Sequence, residues 1–142
     1  LSWLQAQPQA AIVNIGSTFG SIPFAGFTAY SAAKAGLRGF SQALRRELAD
    51  SEIAVIHLAP RAIDTTLNTE AVNALNRALK NNSDSAEAVA AKVVAALQRG
   101  DQETHIGFPE RLFAWINGIA PQLIDRGLAD KLAVIKQHAP TR

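Results

Sequence analysis

A chain of 142 residues with 48% hydrophobic and 18% charged side chains is long enough for one packed domain and too apolar to be disordered. The net charge of +2 is small and its basic residues are dispersed, which argues against a nucleic-acid-binding surface. Zero cysteines exclude disulfides and thiolate metal sites and agree with a reducing cytoplasm, the compartment expected. His57, His105 and His138 lack metal-ligand spacing, so no metal site is expected, and no apolar run approaches the length of a membrane span.

Leu1 to Gln7 reads as the tail of a helix already under way. Ala10-Ala-Ile-Val-Asn-Ile15 is a short apolar, β-branched run with the character of a buried strand. Gly16-Ser17-Thr18 closes it, and Gly20, Pro23 and Gly26 mark a loop. Thr28 opens a helical pattern to residue 50, with Leu37, Phe40, Leu44 and Leu48 on one face. The small residues Ala29, Ala32, Ala33, Gly36 and Gly39 cover much of the remainder, a surface that suits close helix packing within the chain or between copies. Arg38, Arg45 and Arg46, interrupted by Glu47 and Asp50, read as a solvated face.

The chemistry is concentrated at the start of this helix. Tyr30 and Lys34 stand four apart, and a helix turns once in about 3.6 residues, so both share a face. A free phenol ionises near a pH of about 10 and is a weak acid–base group at neutrality. An ammonium one turn away favours the phenolate, and a serine hydroxyl from the preceding loop, Ser17, can address the same substrate oxygen. Lys34 is also the first charged side chain of the sequence, within a segment apolar enough to predict burial.

Residues 53 to 58 form a second strand, ended by Pro60, with His57 as a packed core residue. Two strands each followed by a helix predict a parallel sheet. Residues 66 to 80 read as a helix with Leu67, Val72, Leu75 and Leu79, and Asn81 to Asp84 as a turn. Ser85 to Leu97 is an Ala/Val-rich helix ended by Arg99-Gly100, and Thr104 to Gly107 a short last strand. Beyond Pro109, two amphipathic helices are joined at Ala120-Pro121. Three roles compete for them: covering a substrate cleft, packing on a partner subunit, or lying on a membrane surface. Asp125 and Asp130 dilute the basic face and rank the membrane role below the other two.

Asn14-Ile-Gly-Ser17, Tyr30-Ser-Ala-Ala-Lys34-Ala-Gly-Leu37 and Pro60 to Thr65 together resemble the second half of a short-chain dehydrogenase/reductase, over roughly residues 1 to 107. The resemblance implies an α/β fold, part of a Rossmann-type doubly wound parallel sheet, with residues 108 to 142 as a C-terminal helical extension. It also implies an NAD- or NADP-dependent oxidoreductase interconverting an alcohol and a ketone or aldehyde. Tyr30 would be the acid/base, Lys34 would tune it and bind the nicotinamide ribose, and Ser17 would orient the substrate oxygen. Pro60, Ile63 and Thr65 would approach the nicotinamide carboxamide. The expected partner is a small carbonyl or alcohol substrate, with apolar character suggested by Phe19, Ile22, Phe24 and Phe27, and the family commonly pairs the Tyr30 helix in a homo-oligomer.

Two departures stand out. Arg61 occupies a position that is usually glycine in this family, and it is expected to be a solvated loop side chain. No Gly-x-x-x-Gly-x-Gly run occurs, so the pyrophosphate-binding turn is missing. The chain therefore reads as the C-terminal half of a longer enzyme, or a truncated product, inactive alone. An epimerase or dehydratase of the same superfamily, and a cofactor-binding protein without turnover, remain as alternatives.

Overall fold

A computed structural model describes residues 1–138. The chain runs α1 (Ser2–Gln5), β1 (Ala10–Ile15), a single 3-10 turn over Thr18–Gly20, α2 (Thr28–Glu47), β2 (Ile53–Pro60), β3 (Ala62–Asp64) and α3 (Glu70–Ala78). It continues with β4 (Ser83–Ser85), α4 (Ala86–Arg99), β5 (Glu103–Ile106), α5 (Glu110–Ile119), α6 (Pro121–Ala129) and α7 (Leu132–His138). β1, β2 and β5 form a parallel sheet in that order, with Ala10 opposite Ile53 and Pro60 opposite Ile106.

Alternation along β2 explains the layering. Ile53 and Val55 pack with Leu4, Ile12, Leu44 and Leu48, which places α1 and α2 on one face. Ile56 and Leu58 pack with Val89, Ala96 and Ile106, which places α4 on the other. This is a doubly wound parallel α/β arrangement, as expected. The helix at 86–99 ends at Gly100, whose left-handed backbone (φ 70°) turns the following amide, that of Asp101, back onto the Ala96 carbonyl at 3.0 Å.

Several boundaries differ from expectation. β2 continues through Pro60, whose missing amide is harmless at the end of a strand. α3 starts only at Glu70, because the Thr69 side chain accepts the Val72 amide and caps it there. Leu67 thus falls in a turn, 91% exposed, and contributes nothing to the apolar face. Residues 83 to 85, expected as the end of a turn (81 to 84) and the first residue of the next helix (Ser85), form β4 and pair in parallel with β3, Ile63 opposite Asp84.

Among the described residues the tail holds three helices where two were expected. The chain turns at Asp130-Lys131, with the Lys131 amide donating to the Leu128 carbonyl, and α7 then packs on α3. That turn brings Ile135 into the interior, 2% exposed. Phe40, expected on the inner face of α2, is exposed. Its neighbours on the open side, Ala32, Ala33, Gly36 and Gly39, are exposed as well.

Candidate functional site

The residues singled out in the sequence gather at the carboxyl ends of β1 and β2, the side of a parallel sheet where α/β proteins bind ligands. Ser17 follows β1 directly, and its Oγ accepts the Phe19 amide at 3.2 Å. A hydroxyl that accepts in this way keeps its own proton free to donate. Thr18 donates to the Pro60 carbonyl at 3.1 Å and so ties this loop to the end of β2. Phe19, Phe24 and Phe27 form an aromatic group, and Tyr30 meets Phe19 and Phe27 edge-on.

Tyr30 is 45% exposed, and Lys34 is half-buried beside it. The burial expected for this segment is thus incomplete. The Lys34 ammonium lies 5.6 Å from the Tyr30 ring centroid and donates to the Ile15 carbonyl at 3.1 Å. An ammonium has three protons, so two remain for other partners. The bond to Ile15 fixes the helix against the last residue of β1.

Ile63 and Thr65 flank a turn closed by Asn68. Its side chain donates to the Ile63 carbonyl at 2.8 Å, and its amide to the Thr65 carbonyl at 3.2 Å. The Ile63 carbonyl is therefore engaged by the protein itself, while Thr65 is half-buried in an otherwise largely exposed loop.

Arg61 overturns its expectation. Its guanidinium donates to both carboxylate oxygens of Asp84 (3.1 and 2.9 Å) and lies 3.7 Å from Glu110. The Arg61 and Asp84 side chains are only 18% and 12% exposed. Hydrogen bonding by Arg61 holds the Asp84 carboxyl below the usual range, against the opposing effect of burial. Asp84 is recruited because β3 and β4 pair, a contact invisible to local pattern.

Two arginines of α2, Arg38 and Arg45, depart from expectation too, while Arg46 is exposed as expected. Arg38 and Gln42 both bond Glu103, at 2.6 and 3.0 Å, and Arg45 donates to the carbonyls of Val55 and Gln102. Burial pushes the Glu103 carboxyl up, but the bonds from Gln42 and Arg38 outweigh it and leave it below its ordinary value. These side chains fasten α2 to the sheet instead of solvating its surface.

Sequence reading also missed a pair near the same loop. Ser21 Oγ lies 2.8 Å from His105 Nε2, and the Ser21 carbonyl accepts from Asn117 on α5. Ser21 and His105 are 84 positions apart, so no spacing rule could have joined them. His57, expected in the core, is fully buried there.

Beside Tyr30 a cleft of about 290 Å³ opens between α2, α3 and α7, lined by Phe27, Ala29, Val72, Leu75, Ile135 and His138. Its walls are mostly apolar. No helix among the described residues is long and apolar enough to cross a membrane. No cluster of potential metal ligands occurs among them either.

A parallel sheet with Tyr30 and Lys34 at its carboxyl edge defines a doubly wound α/β protein with a phenol and an ammonium side by side at its ligand-binding end. Residues 1–77 match the family described as short chain dehydrogenase, and the chain belongs to that family. A 3-oxoacyl-(acyl-carrier-protein) reductase of Pseudomonas aeruginosa is 48% identical over 68 residues, which are 48% of this chain and 28% of the relative. An uncharacterized oxidoreductase of Bacillus subtilis is 36% identical over 100 residues, 70% of this chain and 39% of the relative. The chain thus spans well under half the length of these curated relatives.

Solved structures agree on the fold. A short chain dehydrogenase from Burkholderia cenocepacia, solved in complex with NADP, superimposes with a TM-score of 0.69 at 24% identity. The match covers 84% of this chain and 47% of that one. A short-chain dehydrogenase from Streptomyces avermitilis gives 0.61 at 26% identity, covering 89% of this chain and 51% of that one.

Proposed function

We propose that this chain supplies the acid–base and nicotinamide-facing half of an NAD(P)-dependent oxidoreductase that interconverts an alcohol and a ketone or aldehyde. The observation that carries the reading is the exposed Tyr30 with the Lys34 ammonium beside it, on a helix tied to the Ile15 carbonyl.

The donor set fits the nicotinamide end of the cofactor: Tyr30 and Lys34 would hold the ribose hydroxyls, and the segment from Pro60 through Ile63 to Thr65 would hold the carboxamide. When bound, the nicotinamide supplies or accepts the hydride. In the reducing direction Tyr30 gives its proton to the substrate oxygen, and Ser17, whose proton is free, donates a hydrogen bond to that oxygen as charge develops. Lys34 places positive charge beside the phenol as it becomes anionic. In the oxidising direction Tyr30 takes the proton back.

The apolar cleft between α2, α3 and α7 supports a substrate with an apolar body next to its carbonyl. In this reading residues 1–107 carry the reaction, and residues 108–142 are an added cap of which α7 reaches the cleft. The pyrophosphate would be held by a part of the protein outside this sequence. A second copy would meet the exposed small-residue face of α2.

The test is a panel of ketones and aldehydes with NADH and NADPH, assayed on the full-length protein. Cofactor oxidation that needs Tyr30 supports the reading. Cofactor binding without turnover of any substrate in the panel, or isomerisation without net redox, would replace it with the corresponding alternative.

A further inference from the structure

Arg61 is placed at a junction of three elements. Its amide donates to the Ile106 carbonyl at 3.3 Å, fixing its backbone to the end of β5. Its guanidinium spans two carboxylates, taking Asp84 with a two-pronged contact and facing Glu110 at the start of α5. Asp84 in turn lies opposite Ile63 in the β3–β4 ladder and has Lys92 of α4 3.7 Å away.

Gly107 shows how closely this junction is packed. A Cβ there would lie 2.7 Å from Glu110 Oε2 and 3.0 Å from Arg61 Cδ, and its φ of +125° is itself one that other residues rarely adopt. The arginine is therefore built into the fold. What it holds is the short segment 62–65, one end of which is its own neighbour and the middle of which pairs with its ion-pair partner.

We propose that Arg61 is a positioning residue: by clamping Asp84 and Glu110 it fixes the conformation of residues 62–65 and thereby sets Ile63 and Thr65 for the nicotinamide. The second half of that statement rests on the function proposed above; the first half does not. A planar guanidinium is suited to the task because it can serve two carboxylates in fixed directions, whereas an ammonium is a point charge without that fork.

The experiment uses the full-length protein with Arg61→Lys, Arg61→Ala and Asp84→Asn. Hydrogen exchange of the Ile63 and Thr65 amides is read beside that of β1 and β2, and equilibrium binding of NADH and NADPH beside KM and kcat. Faster exchange confined to 62–65 is expected in all three variants. Cofactor Kd and KM should rise by about tenfold to a hundredfold, more than kcat falls, since small displacements of positioning groups have effects of that size. Arg61→Lys should recover part of the loss.

Should Arg61→Ala fail to fold, Arg61→Lys and Asp84→Asn carry the same comparison. Exchange at 62–65 that is unchanged, or that rises only together with β1 and β2, overturns the clamp. A local rise with unaltered cofactor binding confines Arg61 to the fold and removes its role toward nicotinamide. If the unmodified protein binds neither cofactor, the proposed function fails, while exchange still decides the clamp.

Discussion

Gly16 and His57 occupy one another's space across the β1–β2 pair. A Cβ on Gly16 would lie 2.3 Å from His57 Nε2, so the imidazole fills the volume that any other residue at 16 would need. Neither ring nitrogen has a hydrogen-bond partner among the described residues. Gly16→Ala should cost about 1–3 kcal/mol through overpacking. His57→Ala opens a cavity, yet the double variant should be more stable than the sum of the two, with a coupling of about 0.5–3 kcal/mol in denaturant melts. Strict additivity would show that the two residues do not share that space.

The buried histidines give the stability a direction with pH. Burial lowers the pKa of His57 and of His105 below the ordinary 6.5, more than Glu103 raises either. Both are therefore neutral in the fold at a pH where the unfolded chain already binds protons. The sign follows: stability is full above about pH 6.5 and falls as the pH drops below it, by at most about 1.4 kcal/mol per pH unit for each histidine. Urea midpoints between pH 8 and 5 check this. His57→Phe should flatten part of the slope.

In the full-length protein, Tyr30→Phe keeps the ring and removes the acidic proton. Turnover should fall by about a hundred- to ten-thousandfold while cofactor still binds, held by Lys34 and the remaining contacts. Lys34→Ala should lower both turnover and cofactor affinity, because in the proposed function its ammonium serves the phenol and the ribose alike. Near-normal turnover by the phenylalanine variant, measured at saturating cofactor, would end the assignment of Tyr30.

Ile135 tests the C-terminal helices. Its side chain is 2% exposed, lines the cleft by Tyr30 and belongs to the helix packed on α3. Ile135→Ala should lower stability by about 2–5 kcal/mol. It should also enlarge the cleft, shifting preference toward bulkier apolar substrates in kcat/KM comparisons. A change in vesicle flotation with no change in either quantity would favour the membrane-surface role.

Residues 1–142 alone should bind NADH and NADPH only weakly and show no dehydrogenase activity, since the sequence holds no glycine-rich pyrophosphate turn. Calorimetric titration is the measurement. Micromolar affinity from a folded monomer would show that the nicotinamide end suffices.

The sheet and the Tyr30 helix were legible because their signals are local. Ala10–Ile15 is an apolar run interrupted only by Asn14, Thr28–Glu47 keeps a helical period, and Tyr30 and Lys34 need only a helix to meet. The contacts that escaped sequence reading join distant segments. Arg61 looked solvated until β3 and β4 brought Asp84 to it, and Arg38 looked solvated until β5 brought Glu103. The break before α7 likewise follows from the room that α3 offers Ile135, which the amphipathic pattern of the tail does not encode.

Among the described residues β1 is hydrogen-bonded along one flank only, to β2, so alternate amides and carbonyls of Ala10–Ile15 face outward. The last residue of that strand is also the one whose carbonyl holds the Lys34 ammonium. A docked strand would slow amide exchange along β1 and steady the seat of the lysine in the same event. Protection of those few amides is thus a spectroscopic gauge of reconstitution: a complementing segment supplied in trans would be detected there before any catalysis is measured.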